Sequence, residues 1–205
     1  SWGLLWNEEY SGKTAVLDDY REAAAVPLKK LGYSANTENQ KELLNAKEEF
    51  SKMNTQLIST LDLIASFVNN EIIIAESYNG DARAASLANP NIAYAIPKEG
   101  GLIWLDNIAL SKQARHIKEA HQFINFILDP EINGRNVNYV KFASPLIIEK
   151  VSPYIDPWII NDTTIYPSSD VLENLEYLKP VQNEDLYRDI TRTQTEEKAK
   201  LTGSI

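Results

Sequence analysis

The chain has no cysteine, only two histidines and one methionine among 205 residues, and none of its eight glycines falls in a G-x-G. Without cysteine there are no disulfides, thiolate metal sites or cysteine nucleophiles, although the redox compartment stays open. The histidines, His116 and His121, lie five apart on a helical pattern. That spacing turns them about 140° around the axis, so they do not clamp one metal as an i, i+4 pair does, and no metal site is expected. The glycine positions remove the dinucleotide and Walker fingerprints, and no G-x-S-x-G elbow occurs. No run approaches the roughly 20 apolar residues of a membrane span. Hydrolytic, redox and zinc chemistry have no visible machinery, and no cofactor is expected.

What is present is an ordinary globular composition, 43% hydrophobic and 24% charged, with a formal net charge of -9. That sign disfavours nucleic acid as a partner and mildly favours cations. The opening "SWGLLWNEEY" looks like the interior of a longer protein, because it starts on an aromatic-rich segment rather than a polar tail.

Strand-like and helix-like segments alternate through the first hundred residues. "TAVLD" (14–18) reads as a strand, followed by a helix "YREAAAVPLKKLG" with Pro27 inside it and Gly32 as its C-terminal cap. "ENQKELLNAKEEFSKM" is helical, with Leu43, Ala46, Phe50 and Met53 near one face. "LISTL", "EIIIAESY" and "NIAYAIP" read as strands, with short helices "DLIASFVNN" and "GDARAASLANP" among them. The alternation predicts an α/β layered sheet with crossover helices. "SKQARHIKEAHQFINFILD" is an amphipathic helix with Ile117, Ala120, Phe123, Ile124 and Ile127 on its expected buried side. Prolines then divide the chain into short pieces before a closing polar helix, "NEDLYRDITRTQTEEKAK".

Acids and large aromatics collect at the ends of the predicted strands. Asp19 and Glu22 stand where a strand gives way to a helix, the usual place for ligands in open α/β sheets; they also fit a capping box. Asp81 fits a cap of the next helix, whereas Tyr78 has no such structural excuse. "GGLIWLDNIAL" (100–110) reads as a buried strand, whose alternation puts Trp104 and Asp106 on one face. An indole alone is more often a core residue than a ligand wall. An indole in phase with a carboxylate suits a small organic cation, because the ring covers its apolar or charged part and the acid takes an ammonium.

The segments "SWGLLWNEEYSGKTAVLDDYRE", "LKKLGYSANT", "PKEGGLIWLDNIAL" and "INFILDPE" resemble, in order and spacing, the spermidine/putrescine-binding periplasmic proteins of polyamine ABC transporters. The resemblance implies a type II periplasmic binding fold of α/β class, of which this chain supplies the C-terminal lobe and the segment returning to a missing first lobe. It implies that Asp19 and Glu22 face ligand amines, Trp104 is a stacking wall and Asp106 fixes an ammonium. Tyr78 stands where the family commonly has Trp, and Phe142 where many members have Tyr. Leu178 falls near a family Gln.

On this basis residues 1–106 are expected to form the second lobe, 107–167 to pack on the absent first lobe and 168–205 to be a C-terminal helical segment. The expected partners are a polyamine, the N-terminal lobe and ABC permease subunits, in the periplasm, with no enzymatic activity. The alternative of another class is a carboxylate-based hydrolase such as a glycoside hydrolase. It would be marked by one acid raised in pKa beside an open sugar groove, where a binding site would keep all its acids ionised.

Overall fold

The computed structural model describes residues 1–201, with side chains described as far as residue 192. After 3-10 turns at Trp2–Trp6 and Glu8–Tyr10 come β1 (Thr14–Leu17), α1 (Tyr20–Lys30), α2 (Gln40–Ser51), β2 (Thr55–Ile58), α3 (Thr60–Val68), β3 (Ile74–Ala75), α4 (Asn79–Ala88) and β4 (Gly101–Leu102). Then follow α5 (Ile117–Ile127), α6 (Pro130–Val140), α7 (Ile148–Val151), a 3-10 turn at Ser152–Tyr154, α8 (Pro157–Ile160), α9 (Ser169–Leu172), β5 (Leu175–Glu176) and α10 (Glu184–Leu201). The chain divides into two compact units, Ser1–Ile103 with Ser169–Ile205, and Trp104–Ser168. Among the described residues no helix is long and apolar enough to cross a membrane.

The first unit is built on β1, which pairs in parallel with β2 (Thr14↔Thr55) and with β3 (Thr14↔Ile74), in the order β2-β1-β3. All four residues of β1 are buried, as a strand covered on both faces requires. Val16 turns toward Leu28, Leu43, Phe50, Met53, Tyr187 and Ile190, from α1, α2, its following turn and α10. Ala15 and Leu17 turn the other way, toward Leu63 and Ile72. The face of α2 expected from its spacing is thus the buried one.

Helix α1 continues through Pro27 and stops at Leu31, where Gly32 takes φ +76. Gly32 N donates to Lys29 O and Tyr33 N to Leu28 O, the paired bonds that close a helix through a left-handed glycine. The C-terminal part of the chain is tied to this lobe by buried polar contacts. Arg21 donates to Lys179 O (3.0 Å), Ala35 O (3.2 Å) and Asn36 Oδ1 (3.3 Å), and its guanidinium lies 4.3 Å from the Tyr187 ring centre. The Glu176 carboxylate accepts from Lys29 Nζ (2.7 Å), Ala35 N (3.2 Å) and the Ser34 hydroxyl.

Three expected strands are shorter or missing. "EIIIAESY" contributes only Ile74–Ala75, and "NIAYAIP" forms no strand. "GGLIWLDNIAL" contributes only Gly101–Leu102, so strand alternation does not govern Trp104 and Asp106. The reason is the partner: β4 pairs with the two residues of β5, and Ile103 N to Glu176 O is the last rung. A strand lasts as long as the neighbour that satisfies its backbone.

The second unit has a small core of Val137, Val151, Ile155, Ile159 and Ile165. Gly134 of α6 lets the Tyr154 backbone approach; a Cβ there would stand 2.5 Å from Tyr154 Cβ. Helix α5 departs from expectation: none of Ile117, Ala120, Phe123, Ile124 and Ile127 is buried, and Ile117 and Phe123 are more than half exposed.

Candidate functional site

Helices α1, α3 and α4 each begin just beyond the C-terminal end of a strand of the three-stranded sheet. Their first turns favour negative groups, since the N–H ends of a helix carry partial positive charge. Asp19 caps α1, its Oδ1 accepting from Arg21 N (2.8 Å) and Glu22 N (3.2 Å). Only half of the expected capping box forms. Glu22 does not reach back to the Asp19 amide; its Oε1 accepts from the Tyr78 hydroxyl at 2.6 Å.

Tyr78 occupies the N-cap position of α4 without a side-chain capping bond. Asp81, expected as the cap, lies instead in the first turn of that helix. An aromatic at an N-cap forgoes about 1 kcal/mol relative to Ser, Asp or Asn. The phenol is committed to Glu22 instead, which brings α4 and α1 together over a carboxylate. Of the expected site residues, Asp19, Glu22 and Tyr78 therefore converge in the first unit. Trp104, Asp106 and Phe142 belong to the second unit and are all exposed.

A fourth member of the convergent group was not expected. Glu76 follows β3 directly, and only 9% of its surface is exposed. Its amide donates to Ala15 O (3.0 Å), while its Oε2 accepts from Leu17 N (3.1 Å). The carboxyl thus takes the Leu17 amide at the point where β1 and β3 part. The signal available in the sequence was position: Glu76 follows β3 as Asp18 and Asp19 follow β1, and strand ends are where α/β sheets hold ligands.

Burial raises Glu22 above the ordinary carboxylate range; the Tyr78 bond opposes this and the charge of Asp19 adds to it. Glu76 is pushed up to about 8, chiefly by burial, with the Leu17 bond opposing and the charges of Glu22 and Asp19 adding. Burial also raises the Tyr78 phenol, and the bond to Glu22 raises it further, so it remains a donor. The expectation that every acid stays ionised therefore fails for Glu76. The corner holds oxygen acceptors whose charged neighbours are all negative, and what would relieve it is a cation. Among the described residues no group of His, Asp and Glu has the arrangement of a metal site.

A family model for bacterial extracellular solute-binding proteins matches residues 1–165. The spermidine/putrescine-binding periplasmic protein of Escherichia coli is 31% identical over 88% of the chain and 52% of its own length. The putrescine-binding periplasmic protein SpuD of Pseudomonas aeruginosa is 32% identical over 97% of the chain and 57% of its own length. A solved Listeria monocytogenes chain, provisionally described as a spermidine/putrescine ABC transporter, superposes with a TM-score of 0.83 at 28% identity. It covers 93% of this chain and 61% of that one. The chain thus spans about half the length of the curated relatives it matches. The architecture is the α/β, type II periplasmic-binding fold that the sequence led us to expect. With a match over four-fifths of its residues, the chain belongs to the bacterial extracellular solute-binding protein family.

Proposed function

We propose that this chain is the C-terminal part of a periplasmic polyamine-binding protein that delivers putrescine or spermidine to an ABC importer. The observation that carries the reading is the carboxyl corner of Asp19, Glu22 and Glu76, closed by the Tyr78 hydroxyl, at the C-terminal end of a parallel sheet. A polyamine is a methylene chain with ammonium groups, and burying four CH₂ groups against aromatic walls yields roughly 3 kcal/mol at about 0.8 each. Cation-π contact adds about 0.5 to 2 kcal/mol. Unpaired ammonium groups would lose that gain to desolvation, so the acids offset the loss and set the amine spacing.

In this reading Tyr78 and Trp104 are the aromatic walls. Asp19, Glu22 and Asp106 take ammonium groups, and Phe142 adds an apolar face. The site is completed by a first lobe, and hinge closure over the ligand creates the form that permease subunits recognise. The exposed apolar side chains of α5 support such a lobe, since apolar surface of this extent on one helix marks a contact. The raised acids do not favour the hydrolase alternative, because burial and like charge account for them without a sugar groove.

The test is calorimetry with putrescine and spermidine on the two-lobe protein, with and without Glu22→Gln and Asp106→Asn. Binding of either amine, weakened at least tenfold by each substitution, is expected. Failure of both amines to bind, or indifference to both substitutions, would reject the assignment.

A further inference from the structure

Glu76 is buried to nine-tenths, and its two oxygens are unequally served. Oε2 accepts from Leu17 N, whereas Oε1 accepts no hydrogen bond from any described residue. The groups facing it are Glu22 and Asp19 from the start of α1, Tyr78 from the start of α4 and Tyr94 from the segment after α4. Asp19 uses Oδ1 on its cap and Glu22 uses Oε1 on the Tyr78 hydroxyl, which leaves each carboxylate its second oxygen. Of the cations on α1 and α4, Arg21 is bonded to Lys179 O, Ala35 O and Asn36, and Arg83 donates to the Ser86 hydroxyl; the charges that act on Glu76 are those of Glu22 and Asp19. Glu76 thus keeps most of its surface buried while Oε1, bonded to no described residue and not among the fully buried unpartnered atoms, stays open to a ligand beside Glu22 and Asp19.

We propose that Glu76 is a further ligand carboxyl of the polyamine site, which holds a proton in the unliganded protein and releases it to solvent when an ammonium group enters. The inference rests on the polyamine reading and adds a residue and a proton to it. The balance is simple: the Glu76 carboxyl loses H⁺ to buffer, the carboxylate stays, and the ammonium of the ligand replaces the lost positive charge. No bond to the ligand forms. A proton suits the unliganded site because an ionised Glu76, buried beside the buried Glu22 and facing the exposed Asp19, would meet only negative charge. An ammonium removes that need, and affinity then rises with pH wherever the unliganded protein still holds the proton. The amines of putrescine, lysine-like, stay protonated throughout that range, so the ligand's own charge does not create the effect.

The experiment is calorimetry of putrescine binding to the two-lobe protein at pH 7 in phosphate and in Tris, whose ionisation enthalpies differ. The difference between the apparent enthalpies counts the protons exchanged. Release of close to one proton per putrescine is expected, with affinity rising up to about tenfold between pH 6 and 7 by linkage. Glu76→Gln keeps an oxygen for Leu17 N and is expected to abolish both the release and the pH dependence. The wild-type measurement needs no variant, so a variant that fails to fold leaves the test intact. Putrescine binding without proton release overturns this inference and leaves the polyamine reading standing. Undiminished release in Glu76→Gln also overturns it, by assigning the proton to Glu22. Absence of binding removes both.

Discussion

The Tyr78 hydroxyl donates to Glu22 Oε1 at 2.6 Å, joining the first residue before α4 to the first turn of α1. The bond does two things at once: it fixes the ring and partly offsets the cost of burying a carboxylate. Tyr78→Phe keeps the ring and removes the donor. Glu22 then loses the one contact that lowers its pKa and moves further above the carboxylate range. Destabilisation of about 1 to 3 kcal/mol is expected near neutral pH from an unsatisfied buried acceptor, measured by urea unfolding. Weaker putrescine binding should accompany it.

Stability should also fall as pH rises from 5 to 8. The folded pKa of Glu76, about 8, lies above its unfolded value near 4.5, so the folded state binds the extra proton. The resulting stabilisation is complete below about pH 4.5 and is lost as pH climbs through about 8. Each unit of difference is worth about 1.4 kcal/mol, so a few kcal/mol are at stake. Thermal unfolding across this range should show the decline in the wild type and a shallower one in Glu76→Gln, where the raised Glu22 still contributes. A wild-type profile that rises over the same interval would contradict the assignment.

Much of this arrangement could be read from residue patterns, and the limits have physical causes. The i, i+3, i+7 apolar spacing of α2 and the cap at Asp19 are local properties, and both stand. The role of Glu22 was ambiguous, since a capping box and a ligand acid use the same spacing. Only the arrival of Tyr78 from 56 positions away decides against the box. Trp104 and Asp106 were placed by strand alternation, which a two-residue partner strand does not sustain. The sequence does not mark Glu76 as buried, because a glutamate ending a strand is ordinarily solvated and its burial depends on where β1 and β3 diverge.

Gly100 is required where it stands. Its φ is +84, and a Cβ would lie 2.0 Å from Asn174 O, a backbone atom that cannot move aside without disturbing β5. Its carbonyl also accepts from Trp2 Nε1 at 2.9 Å, which ties the start of the chain to β4. Gly100→Ala should cost more than about 2 kcal/mol by combining left-handed strain with a clash. Urea unfolding checks the loss, and quenched or red-shifted fluorescence from Trp2 would report the broken tie.

Arg21 should resist even the conservative exchange to Lys. Its guanidinium serves three acceptors while lying over Tyr187, and that fork fixes the segment around Lys179 and the start of α10 on the lobe. An ammonium reaches fewer acceptors and loses the planar contact, so Arg21→Lys is expected to destabilise by about 2 to 3 kcal/mol. Because the lost contacts are those of the C-terminal return, limited proteolysis should cut near Lys179 before the rest of the lobe is attacked. Equal protection of that site in variant and wild type would mean that Tyr187, whose hydroxyl donates to Ala35 O and Thr37 O, holds the segment without Arg21.

The apolar side of α5 offers the last test. Ile117 and Phe123, on the apolar face of this short helix, are each more than half exposed, while the second unit buries only a small aliphatic core. A helix this amphipathic gains little by facing water, since a Phe or Ile side chain left exposed forgoes about 1.5 to 3 kcal/mol of burial. The 205-residue chain by itself should therefore self-associate at micromolar concentration. Phe123→Glu should return it to monomer in sedimentation velocity without changing its helical content. In the two-lobe protein of the proposed function the wild type should be monomeric, with that surface covered by the first lobe. There the same substitution should lower the unfolding temperature, an effect that a helix exposed to water in the complete protein would not show.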